Sequence, residues 1–160
     1  MYKLLKIGGN EYKLEYGFEA SLYGDCAKSV IDTLIATSGG INKTPEEIIS
    51  GMTDIPNKAL NVFYAGLLQY HGNNPDADKT VPDFETSKKI AAQFISEHKD
   101  DEYGNFYGLY TMCIQQMEED GFFKLIGLEA LLDQINGNST AKQKKTPKKP
   151  ADHQKKATAK

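Results

Sequence analysis

At Gly17 the spacing of apolar residues changes from two to between three and four, and that change constrains the fold more than any other feature. Before it, in YKLLKIGGNEYKLEY, Tyr12, Leu14 and Tyr16 alternate with Glu11, Lys13 and Glu15, the pattern of a half-buried strand. Gly8, Gly9 and Asn10 supply the positive φ of a tight turn, so the segment predicts a β-hairpin. A two-residue loop, either Gly8-Gly9 or Gly9-Asn10, sets Leu5 and Ile7 on the same face as Tyr12 and Leu14. A one-residue slip would turn one strand's apolar set to water. A lone hairpin is marginal in water, so this one must lie against helices.

Helical spacing takes over at Phe18. Phe18, Leu22, Tyr23, Cys26, Ala27, Val30, Ile31, Leu34 and Ile35 form one stripe, with Glu19, Asp25, Lys28 and Asp32 opposite. The stripe predicts a single amphipathic helix of about five turns, ended by Gly39-Gly40. In TPEEII, Thr44 is the expected N-cap, Pro45 the first helical residue and Glu47 the partner that completes a capping box, with a stop near Gly51. A third helix should run from about Pro56 to Gly72 with Leu60, Phe63, Tyr64, Leu67 and Leu68 inward. The polar, turn-rich HGNNPDADKTVP reads as an exposed loop. A fourth helix is expected from about Asp83, burying Phe84, Ile90, Ala91, Phe94 and Ile95. NFYGLYTMCIQQMEED is apolar almost all round, which predicts the most buried position in a bundle. Gly121 breaks it, and FFKLIGLEALLDQI reads as a final, less regular helix.

From Asn136 the composition collapses to Asn, Gly, Ser, Thr, Lys and Pro, which cannot pack a core. The expected fold is therefore mainly α: a two-stranded β-hairpin, then five or six helices over residues 1–136, then a disordered lysine-rich tail over 137–160.

Charge divides the chain at the same place. Met1–Thr140 carries 11 Lys against 21 Asp and Glu, a net −10, whereas Ala141–Lys160 carries 8 Lys against Asp152 alone, a net +7. All 19 basic residues are lysine. Without arginine the chain lacks the forked donor that reads guanine, and lysine neutralises phosphate without reading sequence. Cys26 and Cys113 are the only cysteines and stand 87 positions apart, with neither metal-ligand spacing nor a disulfide framework. No apolar run reaches the length of a membrane span, and MYKLLKIGGN lacks the apolar run of a signal peptide, so a soluble cytoplasmic protein is expected.

Each residue that could carry chemistry also has a structural role open to it. His71 and His98 each end a helix, where positive charge suits the dipole; His153 lies in the tail. Cys26 and Cys113 sit in apolar stripes and read as small core residues. Asp100-Asp101-Glu102 and Glu118-Glu119-Asp120 match no calcium-loop pattern and read as water-facing. The glycines of IGGNEYKLEYG join two strands, so they lack the strand-to-helix setting of a phosphate cradle. Met52, Met112 and Met117 read as core, with an adaptable binding surface as the alternative. Nucleophile, acid–base pair, metal set and cofactor loop are all missing from the pattern, which leaves a binding role and neither catalysis nor a cofactor as the expectation.

The segment KIGGNEYKLEYGFEASLYGD, a short ribbon running straight into an amphipathic helix, resembles the start of the tail assembly chaperones of long non-contractile-tailed phages and prophages of low-GC Gram-positive bacteria. The likeness extends loosely to about residue 135. It implies a non-enzymatic protein that coats the tape measure protein in the host bacterial cytoplasm, keeps it soluble until the tail tube forms, and is absent from the mature virion. It also implies the tail tube protein as a further partner, and a longer product made by ribosomal frameshifting; the paired lysines at 144–145, 148–149 and 155–156 would suit A-rich slippery codons. The family has no catalytic residues to carry over.

A chaperone of this kind would offer an apolar groove to an amphipathic client helix. The candidate groove residues are Phe122, Phe123, Leu128, Leu131, Leu132 and Ile135, next to the tail boundary where fewer later elements can cover them; completing the core is their other reading. Self-association is a further expectation. The tail has three readings: phosphate contacts with nucleic acid, contacts with acidic partner surfaces, or a recoding region and linker. A short, arginine-free arm on a body that repels phosphate makes nucleic acid the weaker partner, and a nucleic-acid-associated regulator is the alternative function.

Overall fold

The computed structural model describes residues 1–38 and 44–130, the side chains of 35–38, 48, 51 and 52 excepted. Strands β1 (Lys3–Ile7) and β2 (Asn10–Leu14) form the expected antiparallel hairpin, with Leu5 opposite Tyr12 and Ile7 opposite Asn10. The turn is Gly8-Gly9, with φ of 59° and 78°. Two successive positive φ values give the twist that a two-residue hairpin loop needs. Leu5, Ile7, Leu14 and Tyr16 are buried and Tyr12 is half-buried, as the alternation requires.

Among the described residues seven helical segments follow: α1 (Phe18–Leu22), α2 (Gly24–Ser38), α3 (Pro45–Thr53), α4 (Ile55–His71), α5 (Phe84–Glu97), α6 (Phe106–Glu119) and α7 (Phe122–Leu125). The protein is mainly α behind an N-terminal hairpin, as its sequence predicts. Local chemistry sets several helix starts. Thr44 and Glu47 close the capping box: the Glu47 carboxylate accepts the Thr44 N–H at 2.9 Å, and the Thr44 hydroxyl accepts the Glu47 N–H at 3.3 Å. Asp83 caps α5 by accepting the Thr86 N–H at 2.7 Å, and Asn105 caps α6 by accepting the Gly108 N–H at 2.9 Å.

The expected five-turn helix is two helices. Tyr23 interrupts it with extended backbone (φ −85°, ψ 96°), and the chain restarts at Gly24. Tyr23 is held at the break, its hydroxyl donating to Asn61 at 3.2 Å and its ring meeting Tyr64 edge-on at 5.3 Å. Tyr64 in turn meets Phe84 at 5.7 Å, so one aromatic seam joins the α1–α2 break, α4 and the start of α5.

The centre of the bundle is α4, not α6 as expected. It packs against α1, α2, α3, α5, α6 and β2, and buries Ile55, Ala59, Val62, Phe63, Ala65, Gly66 and Leu67. Small residues at 59, 65 and 66 let neighbours approach from several sides. At Gly66 an added Cβ would stand 2.5 Å from Leu14 Cδ1 and 2.8 Å from Tyr16 Cζ, so the hairpin rests directly on bare helix backbone. The first turn of α6 is half out of the core, with Phe106 and Tyr107 exposed, and its buried face begins at Gly108.

Two further expectations are corrected. The 72–82 loop is not wholly exposed: Val81 is fully buried, and the loop is pinned by Asp78 N–H to Tyr70 C=O at 2.9 Å and Val81 N–H to His71 C=O at 2.8 Å. FFKLIGLEALLDQI is not one continuous helix: α7 is a single turn, Phe122–Leu125, Gly127 takes φ 77°, and the chain is helical again at residues 129–130, beyond which it lies outside the described residues. Gly39-Gly40, the Met52 side chain, the boundary at 136 and the lysine-rich tail lie outside the described residues.

Candidate interaction surface

Tyr16 fixes how the chain enters the helices. Its ring is buried and its hydroxyl donates to Val62 C=O at 2.9 Å, while its N–H donates to the Asp120 carboxylate at 2.8 Å. With Tyr16 turned inward and Gly17 at the N-cap, α1 directs Ala20 into the core and Phe18 and Leu22 outward. Phe18 and Leu22 are each 65% exposed, which reverses their expected inward placement. Being four residues apart on one helix, they share a face. The acidic side chains of Glu19 and Asp25 flank them, and α1 itself carries no basic residue. Other large apolar side chains reach solvent on separate elements: Ile49 on α3, Tyr107 on α6 and Leu125 on α7.

The residues expected to form a groove are placed differently. Phe122 is fully buried and Phe123 nearly so, with the Phe122 ring 5.8 Å from Tyr16 and 6.4 Å from Phe123. Both rings are used up in the core, because the positive φ of Gly121 turns α7 back under the hairpin's exit. Leu128 is half-buried and donates its N–H to Phe123 C=O at 2.8 Å, while Leu131, Leu132 and Ile135 lie outside the described residues. The signal for Phe18 and Leu22 was present in the sequence as the two glycines, Gly17 and Gly24, that frame a segment too short to bury a full stripe.

Several titratable residues have structural partners. Asp120, expected to face water, has a side chain only 2% exposed; it accepts from Tyr16 N–H, from Gln116 Nε2 at 2.9 Å and from the Met1 ammonium at 3.0 Å. Gln116 Nε2 also donates to Met1 C=O at 2.7 Å, so the first and sixteenth residues converge on the end of α6. Cys26 and Cys113 are buried; desolvation pushes the Cys113 thiol up to about 12 and raises Cys26 further, so both stay protonated and unreactive. Met112 and Met117 are core residues. His98 caps α5, and its Nδ1 donates to Asp101 at 2.7 Å, which chiefly holds that carboxyl below the usual range.

His71 is more than a charge at a helix end. It is buried, and its Nε2 lies 2.8 Å from the Lys13 N–H while its Nδ1 lies 2.9 Å from both Asp78 Oδ2 and Thr80 Oγ1. A cleft of about 340 Å³ opens beside it between the hairpin and the 72–82 loop, lined by Leu4, Glu11, Lys13, Tyr70, Asp76 and Asp78. The Lys13 ammonium lies 4.9 Å from the Tyr2 ring centre and 5.0 Å from that of Tyr70, held between two aromatic faces.

Among the described residues no helix is long and apolar enough to cross a membrane, and no three His, Cys, Asp or Glu side chains are grouped to hold a metal ion. No protein-family model, curated protein or solved structure matches this chain.

Proposed function

We propose that this protein is a non-enzymatic assembly chaperone of long non-contractile phage tails, which binds the tape measure protein in the host cytoplasm and is left out of the finished virion. The single observation that carries the reading is the outward pair Phe18 and Leu22, at the point where the opening hairpin pattern meets the helical body. Two large apolar side chains on one short helix face suit the apolar stripe of a client helix. The acidic flank of that pair, and the net −10 of the body, favour clients with basic residues beside their stripe and discourage self-aggregation.

Co-expression tests it. Wild-type protein should raise the soluble yield of a tape measure protein and co-purify with it, and Phe18→Asp with Leu22→Asp should abolish both effects while the variant itself stays folded. Unchanged client yield with wild-type protein, together with no complex, would reject the reading.

A second reading rests on the last twenty residues, with their 8 lysines. A nucleic-acid-associated regulator would retard DNA or RNA at low salt, and deletion of residues 139–160 would abolish the retardation.

A further inference from the structure

The hydrogen bonds around His71 fix its tautomer. The backbone N–H of Lys13 can only donate, so the ring nitrogen 2.8 Å from it, Nε2, must present a lone pair. The single ring proton of a neutral imidazole then sits on Nδ1 and is donated to the Asp78 carboxylate at 2.9 Å. Asp78 is held in turn by Thr80, whose N–H (2.9 Å) and hydroxyl (2.6 Å) both donate to Oδ1. One imidazole thus joins the end of α4, the 72–82 loop and the free edge of β2.

That edge has a second tie of a different kind. Two residues along, the Glu15 N–H donates to Gly66 C=O at 2.9 Å, a bond between backbone groups in which neither partner gains or loses a proton. Protonation of His71 therefore breaks the two ties unequally. A proton on Nε2 replaces the acceptor with a donor facing the Lys13 N–H, so that bond cannot persist. The Nδ1–H bond to Asp78 survives and gains an ionic component.

We propose that His71 is a pH-sensitive latch: neutral, it clasps β2 to α4 through Lys13; protonated, it stays with Asp78 on the loop and releases the Lys13 stretch of the strand edge. The groups facing the ring from each neighbouring element are consistent with a hand-over of this kind. From the loop come Asp78 and, along the shared cleft, Asp76; from β2 comes the Tyr12 ring, 5.4 Å away edge-on, with Glu11 farther along the cleft lining and paired there with Lys6 at 3.6 Å; from α4 comes Tyr70. The one cation in the cleft, the Lys13 ammonium, is turned toward Tyr2 and Tyr70. The Asp78 carboxylate, with Asp76 along the cleft, thus receives the new positive charge, while Lys13, on the strand to be released, is the group it repels.

Two measurements on the full chain test the latch. Nitrogen-15 spectra of the imidazole at pH 8 should show the Nδ1–H form with Nε2 unprotonated. Amide exchange of Lys13 and Glu15 should then be followed from pH 8 to pH 5, after correction for intrinsic exchange rates. The protection of Lys13 should fall about tenfold, the size expected for one lost hydrogen bond, while that of Glu15 holds. In His71→Gln, whose side-chain oxygen reaches the Nε2 position without titrating, Lys13 protection should be flat across the same range. An Nε2–H tautomer at pH 8, an unchanged Lys13 amide, or a parallel loss at Lys13 and Glu15 would each overturn the proposal. None of these readouts requires a client, so they fail or succeed independently of the chaperone reading.

Discussion

Asp120 accepts the Tyr16 N–H at 2.8 Å across 104 residues of sequence, and that single bond settles where the chain leaves the hairpin and enters the helices. The carboxylate is almost fully enclosed and takes further donors from Gln116 and the Met1 ammonium. Asp120→Ala leaves the Tyr16 N–H without its partner inside the protein. It should cost about 1.5–3 kcal/mol, the range for hydrogen bonds to a charged group, read as a lower midpoint in urea denaturation.

Gly66→Ala should destabilise although alanine is the better helix former by about 1 kcal/mol. The added methyl meets Leu14 and Tyr16, whose own positions are fixed by the hairpin and by the Val62 bond, and overpacking of this kind costs about 1–3 kcal/mol. Gly24→Ala is the matched control. No neighbour lies within 4 Å of its Cβ, and the expected change is within about 0.5 kcal/mol of zero.

Both thiols should be silent in the native state. Cys26 and Cys113 are buried and kept protonated, so a thiol reagent at pH 8 should label neither in folded protein and both after denaturation. Labelling at the rate of a free thiol in native conditions would contradict the packing described above.

Stability should decline at acid pH through two carboxylates, the α5 cap Asp83 and Asp101 beyond the end of that helix. The Thr86 N–H and hydroxyl hold Asp83 below its ordinary 3.8, and the His98 side chain, with the Tyr103 N–H, does the same for Asp101. A carboxyl depressed in the folded state contributes fully above its unfolded value. It loses that contribution as pH falls through the depressed one, so the loss begins near pH 4 and deepens below it. Denaturation curves from pH 7 to pH 3 should therefore be flatter for Asp83→Asn and Asp101→Asn than for wild type.

What the sequence made legible was local. The alternation of Tyr12, Leu14 and Tyr16 beside Gly8, Gly9 and Asn10 pointed to the hairpin and its inward face, with two registers left open, and Thr44 with Glu47 to a helix start, because each pattern is closed within a few residues. What was missed depends on partners far along the chain. The break at Tyr23 is held by Asn61 and Tyr64; the centrality of α4 comes from small residues whose neighbours are distant; Asp120 is buried by Tyr16 and Gln116. The candidate surface followed the same rule. Phe122 and Phe123 looked uncovered because nothing after them could pack, yet the cover came from Tyr16, more than a hundred positions earlier.

The long reach of those contacts orders the protein's birth. Gly8 donates its N–H to Glu97 at 2.9 Å and Tyr16 donates to Asp120, so the last ties of the hairpin come from residues made long after its strands. Until α4 is made, the hairpin's inner face, with Leu5, Ile7 and Leu14, has no floor to stand on. A nascent chain arrested before residue 55 would carry that apolar face uncovered, and one extended past residue 97 would hold both helices that cover it.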